Sequence, residues 1–255
     1  VRLRPNILSG GNLNISTGHD RSKFGVPLEQ LGQLQQLVAD TDLWIRGLHI
    51  HTGSEIEDKA LTLGLEVLFS MVEQFPELEF IDLGGGFKVA YKPDEKSVDI
   101  DAIGKKVAAE FADFEKMTGR HLQVWFEPGK FLVSEAGYFI TTVNVIKPTD
   151  SIVFAGIDSG LNHLIRPMFY GSYHAIENIS HPGGEPRRYT VVGNICETDT
   201  FAEDRLLPEV REGDLLIIKN AGAYGYSMAS NYNSRLRPAE VLLLNGEAKL
   251  IRRRD

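Results

Sequence analysis

The chain has 255 residues, 42% of them hydrophobic and 24% charged, with a formal net charge of −8. This is the composition of one large or two ordinary globular domains, and the acidic balance excludes a general nucleic-acid binder. No apolar run approaches membrane-spanning length, no signal peptide heads the chain, and Cys196 is the single cysteine, so no internal disulfide is available and the cytoplasm is the expected compartment.

In chain order, Val1-Arg2-Leu3-Arg4-Pro5-Asn6 alternates like a strand already in progress. Leu28, Leu31, Leu34, Leu37 and Val38 then recur at helical spacing. The apolar run Trp44–Ile50 ends in His51-Thr52-Gly53-Ser54, and a second helical face follows at Leu61, Leu65, Leu68, Val72 and Phe75. Glu79–Leu83 ends in Gly84-Gly85-Gly86, a third face runs through Ile100, Ile103, Val107, Phe111 and Phe114, and Gln123–Phe126 ends in Glu127-Pro128-Gly129-Lys130. Strands alternating with helices build a parallel sheet whose strand C-termini gather on one face, the face that carries the active site in a (β/α) barrel. An imidazole, a backbone nest and a carboxylate are therefore expected to converge.

After about residue 134 the pattern changes to short β-rich runs at Tyr138–Ile146, Ile152–Ile157, Arg188–Val192, Leu215–Lys219 and Val241–Leu244, with one short helix expected near Tyr226–Asn231. The expected fold class is α/β plus all-β. Residues 1–133 read as the C-terminal part of a (β/α)8 TIM barrel, and residues 134–255 as a β-sandwich or β-barrel domain. A whole barrel needs roughly 200–250 residues, and both ends of the chain read as cut. The chain is therefore expected to be a piece of something longer.

Free N–H groups in the Gly84-Gly85-Gly86 loop suit a phosphate, or else simply make a tight turn. The spacing is not that of a dinucleotide fingerprint. His49 and His51 share one face of a strand, which admits a metal, but further ligands at later strand ends are wanting; stacking or hydrogen bonding by one ring and packing by the other is the expectation, with no metal. Glu127, closing a buried strand, needs a partner: either an arginine or a cationic ring nitrogen of the pyridoxal phosphate kind. Cys196 beside Glu197 and Asp199 suggests an exposed functional loop, and Arg166, with Tyr170 nearby, offers a donor fork for a carboxylate. The stretch from Ala221 to Asn233 is small residues and tyrosines with almost no charge, suited to an anionic ligand or a subunit interface.

Together these segments resemble the pyridoxal-phosphate decarboxylases of the alanine racemase fold type, and within them the branch acting on diaminopimelate. The matching stretches are ISTGHDRSKFGV (15–26), GLHIHTGSEI (47–56), IDLGGGF (81–87), FEPGKFLVSEAG (126–137), DSGLNHLIRPMFY (158–170), CETD (196–199) and AGAYGYSMASNYNSRLRP (221–238). The resemblance implies a barrel followed by a β domain, pyridoxal 5'-phosphate as cofactor, and conversion of meso-diaminopimelate to L-lysine and carbon dioxide. It implies that His51 stacks on the pyridine ring, that Ser54, Gly84, Gly85, Gly86 and Tyr224 hold the phosphate, and that Glu127 pairs with the ring nitrogen. Arg166 and Tyr170, with Lys130, Glu197 and Tyr224, are implied to bind substrate. Cys196 is the implied proton donor, reaching with Glu197 across a homodimer interface. Two departures stand out. Lys130 occupies a turn where the family usually has arginine, and no lysine here stands in the context of the family's Schiff-base lysine, so this chain alone is expected to be inactive. The competing expectations are a decarboxylase of another basic amino acid, of the ornithine or arginine kind, a non-catalytic homologue, and a metal-dependent barrel hydrolase using His49 and His51.

Overall fold

The structure, a computed structural model, describes residues 1–5, 22–53 and 58–255. Ser54, and most of the 15–26 motif, lie outside the described residues. The chain divides into two compact units: Val1–Ala90 with Lys96–Phe131, and Tyr91–Glu95 with Leu132–Asp255.

The first unit is built from strands β1 (Leu3–Arg4), β2 (Val26–Pro27), β3 (Gly47–His49), β4 (Phe80–Asp82) and β5 (Gln123–Trp125), with helices α1 (Leu31–Ala39), α2 (Asp58–Met71) and α3 (Ile100–Thr118) between them. β3, β4 and β5 are parallel neighbours, with Leu48 opposite Ile81 and Ile81 opposite Val124. A parallel bridge from Arg2 to His49 and the parallel pairing of Leu3 with Val26 bring β1 and β2 alongside. Helix α3 starts at Asp99, whose carboxylate accepts the Ala102 N–H at 2.9 Å and so satisfies one of the free donors at a helix start. The helical periodicity of the sequence marks the faces that pack inward: Leu61, Leu65, Leu68 and Val72 of the second helical segment and Ile103, Val107 and Phe114 of α3 are buried against Leu48 and Ile81. Full burial of each such aliphatic side chain is worth about 1.5–3 kcal/mol.

A short helix α4 (Gly129–Val133) leads into the second unit. There β6 (Phe139–Pro148), β7 (Val153–Ile157), β8 (Ile176–Asn178), β9 (Pro186–Val192), β10 (Thr200–Pro208) and β11 (Leu215–Ile218) form one sheet in the order β10-β9-β7-β6-β11-β8. Only the β7–β9 pair is parallel. The edge strands β10 and β8 also touch, so the sheet curls nearly closed around Val143, Ile157, Val191, Leu216 and Ile218. Helix α5 (Arg166–Tyr170) follows β7, and β12 (Glu240–Leu244) and β13 (Glu247–Arg252) form a separate hairpin. The fold class is α/β plus all-β: a portion of a parallel βα barrel and a sheet unit.

Sequence reading misses β2, β8, β10 and β13. In β10 the consecutive charged residues Glu203-Asp204-Arg205 break the alternation; the strand absorbs them as an irregularity between Ala202 and Arg205, with Asp204 at φ 50°. The helix expected near Tyr226–Asn231 is only a 3₁₀ turn at Tyr226–Met228.

Candidate active site

In the first unit the ends of β3, β4 and β5 meet because their registers align His49 with Asp82 and Asp82 with Trp125, placing the residues that follow each strand at one edge. The Gly84 N–H donates to Asp82 Oδ1 at 2.8 Å, and the Glu127 N–H donates to the Gly84 carbonyl at 2.8 Å. A Cβ at Gly85 would lie 1.9 Å from the Glu127 carbonyl oxygen, so the loop passes the β5 end too closely for any side chain.

The Gly85 N–H donates to His51 Nδ1 at 3.2 Å. Nδ1 is therefore the acceptor and the proton of the neutral ring sits on Nε2. Burial, reinforced by the positive charge of Arg2, pushes the His51 imidazole down to about 4, so the ring is neutral at physiological pH. Beside it, the buried Nε2 of His49 makes no hydrogen bond among the described residues and lies 3.5 Å from a carboxylate oxygen of the half-exposed Glu127. Burial lowers the His49 imidazole as well. Donor atoms of His49, Asp82 and Glu127 all lie within 4.8 Å of one another. Arg2 donates to the His51 carbonyl at 3.2 Å, and Glu127 opposes the lowering that burial imposes on its guanidinium. Lys130 is buried in α4.

The second unit carries two further groups. Arg166, 8% exposed, donates to the Ala223 carbonyl at 3.0 Å, the Tyr91 hydroxyl at 3.3 Å and the Ser172 hydroxyl at 3.4 Å. Its guanidinium carbon stands 5.1 Å from the Tyr91 ring centroid and 5.9 Å from that of Tyr224. All three hydrogen-bond partners are neutral, which suits a buried guanidinium to an incoming anion. Tyr170 closes α5, its ring edge-on to Phe169. Separately, the Cys196 thiol donates to Glu197 Oε2 at 3.4 Å, and the Tyr232 hydroxyl donates to Glu197 Oε1.

The structure thus brings together His51, the three glycines and Glu127 in the first unit, Arg166 and Tyr224 in the second, and Cys196 with Glu197 in the second. Sequence reading misses Arg2, Asp82, Tyr91 and Tyr232. Asp82 was findable from its place at a strand end next to the glycines, and Tyr232 from its place in the low-charge 221–233 stretch. Arg2 and Tyr91 carry no sequence signal.

Residues 37–222 match the family model described as pyridoxal-dependent decarboxylase, C-terminal sheet domain. The diaminopimelate decarboxylase of Methanothermobacter thermautotrophicus is 41% identical over 264 residues, covering all of this chain and 61% of that protein. A diaminopimelate decarboxylase crystal structure superposes with a TM-score of 0.92 at 35% identity, covering all of this chain and 64% of that one. That of Helicobacter pylori complexed with L-lysine gives 0.87 at 32% identity, again over the whole chain and 63% of the other. The chain therefore spans somewhat under two thirds of the length of these relatives. The matched family model spans most of the chain, on a fold that superposes throughout its length, and the chain belongs to the pyridoxal-dependent decarboxylase family.

Proposed function

We propose that the protein to which this chain belongs decarboxylates meso-diaminopimelate to L-lysine with pyridoxal 5'-phosphate, as a homodimer in the cytoplasm. Among the described residues no helix is long and apolar enough to cross a membrane. The observation that carries the reading is the meeting of a neutral His51 ring, a glycine loop without side chains and the Glu127 carboxylate at three adjacent strand ends.

This donor set fits the cofactor. A carboxylate suits a protonated ring nitrogen, a neutral imidazole presents a face to an electron-poor ring without charge repulsion, and a glycine loop without side chains lets a phosphate approach the backbone. When bound, pyridoxal phosphate supplies an electron sink for the pair released as the carboxylate leaves. The chain's own residues do the rest. Glu127 holds a proton on the ring nitrogen, and His51 covers one face. Gly84, Gly85, Gly86, Ser54 and Tyr224 hold the phosphate. Arg166, with Tyr170 and Lys130, binds the distal end of the substrate, where the buried fork with neutral partners favours a carboxylate. Cys196, with Glu197, returns a proton from across the dimer interface. The anchoring lysine is assigned to no residue of this chain, and the chain by itself is expected to be inactive.

The test is lysine release from meso-diaminopimelate by the full-length protein supplied with pyridoxal phosphate. Lysine formation supports the reading; turnover of ornithine or arginine with none of diaminopimelate overturns it.

A further inference from the structure

Asp199 is a buried carboxylate that no step above uses. Its Oδ1 accepts the Leu161 N–H at 2.6 Å and its Oδ2 the Ile195 N–H at 3.1 Å, while its own carbonyl accepts the Gly193 N–H at 2.7 Å. The Asn194 N–H donates to the Ser159 carbonyl at 2.9 Å. One carboxylate thus folds residues 193–199 around itself and ties them to the turn at 159–161. A buried carboxylate with two N–H donors is a durable anchor, because removing either leaves it short of partners. Cys196 and Glu197 are among the residues this loop turns outward.

A second segment meets them. Asn233 has φ 55° and ψ 30° and Ser234 has φ 56°, two successive non-glycine residues in the left-handed region. Such a conformation persists only where the surroundings hold it. Here Tyr232 donates its hydroxyl to Glu197 Oε1, and Asn233 Nδ2 donates to Cys196 Sγ at 3.7 Å. With Oε1 taken, Oε2 is the oxygen left facing the thiol, 3.4 Å away. The Tyr232 hydrogen bond also holds the Glu197 carboxyl below its ordinary range and the phenol above its own, so the acceptor is ionised and the donor protonated at neutral pH.

We propose that Tyr232 is a positioning residue, fixing one oxygen of Glu197 so that the other stays on the Cys196 thiol, on a loop whose course Asp199 sets. The inference rests on the reading of Cys196 as proton donor and deepens it. In that step the S–H bond breaks, its electron pair stays on sulfur, and the proton forms the new C–H bond of the product. A carboxylate on the thiol keeps the proton on sulfur until it is needed.

The test is a double-mutant cycle in the full-length protein: Tyr232→Phe, Glu197→Gln and the pair. It reads the rate at which iodoacetamide alkylates Cys196, measured on that peptide by mass spectrometry, with thermal melting alongside. Tyr232→Phe removes one hydroxyl and should melt with the wild type, yet its thiol should be alkylated about threefold faster or more, because the carboxylate that disfavours the thiolate is released. In the Glu197→Gln background the same substitution should change the rate by less than about 1.5-fold. An equal effect in both backgrounds, or no effect in the first, overturns the proposal. Lysine formation by the same samples is scored separately. Coupled alkylation without lysine formation removes the reaction and leaves the positioning, whereas lysine formation with uncoupled alkylation removes the positioning alone.

Discussion

Glu127 has two basic side chains near it, of very different kinds. His49 stands 3.5 Å away with a ring held neutral by burial, and Arg2 is a permanent charge. A carboxylate placed against a ring nitrogen can keep a proton on it. Glu127→Gln keeps the shape and removes the charge, so in the full-length protein kcat for lysine formation should fall about a hundredfold or more. Steady-state kinetics, with circular dichroism to confirm the fold, check this. At the scale of single residues the sequence already pointed to His51, the glycines and Glu127, because each closes an apolar run. It was silent on the Nδ1 acceptor role of His51 and on the neutral surroundings of Arg166, since both depend on atoms from residues 34 to 75 positions away.

At the scale of elements, the glycine loop is held by what passes beneath it. A methyl group at Gly85 would sit 1.9 Å from the Glu127 carbonyl oxygen, and backbone cannot yield as a flexible side chain does. Gly85→Ala should therefore destabilise the protein by about 2–3 kcal/mol and weaken pyridoxal phosphate binding about tenfold or more as the loop parts from the β5 end. Urea unfolding and a fluorescence titration with the cofactor measure the two effects. The β-rich unit shows both sides of sequence legibility. Asn245-Gly246, at φ 52° and 82°, is the turn pair that favours a two-residue hairpin, so β13 was available from the sequence and went unread. The charged centre of β10 was not available, because a bulge rather than alternation accommodates it.

At the scale of the whole molecule, burial of imidazoles sets the response to acid. His51 and His174 are both held down at about 4, chiefly by burial, and His49 and His163 are lowered for the same reason. The unfolded chain protonates these rings near pH 6.5 and the folded one only at lower pH, near 4 for His51 and His174, so over that window the unfolded state binds more protons and stability rises with pH. The contribution is fully present above about 6.5 and is lost as pH falls toward 4. The Asp199 carboxyl, raised by burial, works in the opposite sense close to its own range, so the comparison belongs above it. The urea midpoint should drop between pH 7 and about 4.5. The drop should shrink in His174→Gln, which removes a titrating ring whose Nδ1 meets the Lys219 carbonyl at 2.8 Å. The sequence by itself determined the alternation of strands and helices, the change to β texture near residue 134 and the residues that close each strand, because local periodicity and turn chemistry are written in consecutive residues. Tertiary structure alone decided which of those residues meet. Parallel register sets His51, Gly85 and Glu127 at one edge, and a buried Asp199 turns Cys196 and Glu197 toward Tyr232. Contacts between distant segments come from packing and hydrogen-bond satisfaction, which no short window of sequence contains.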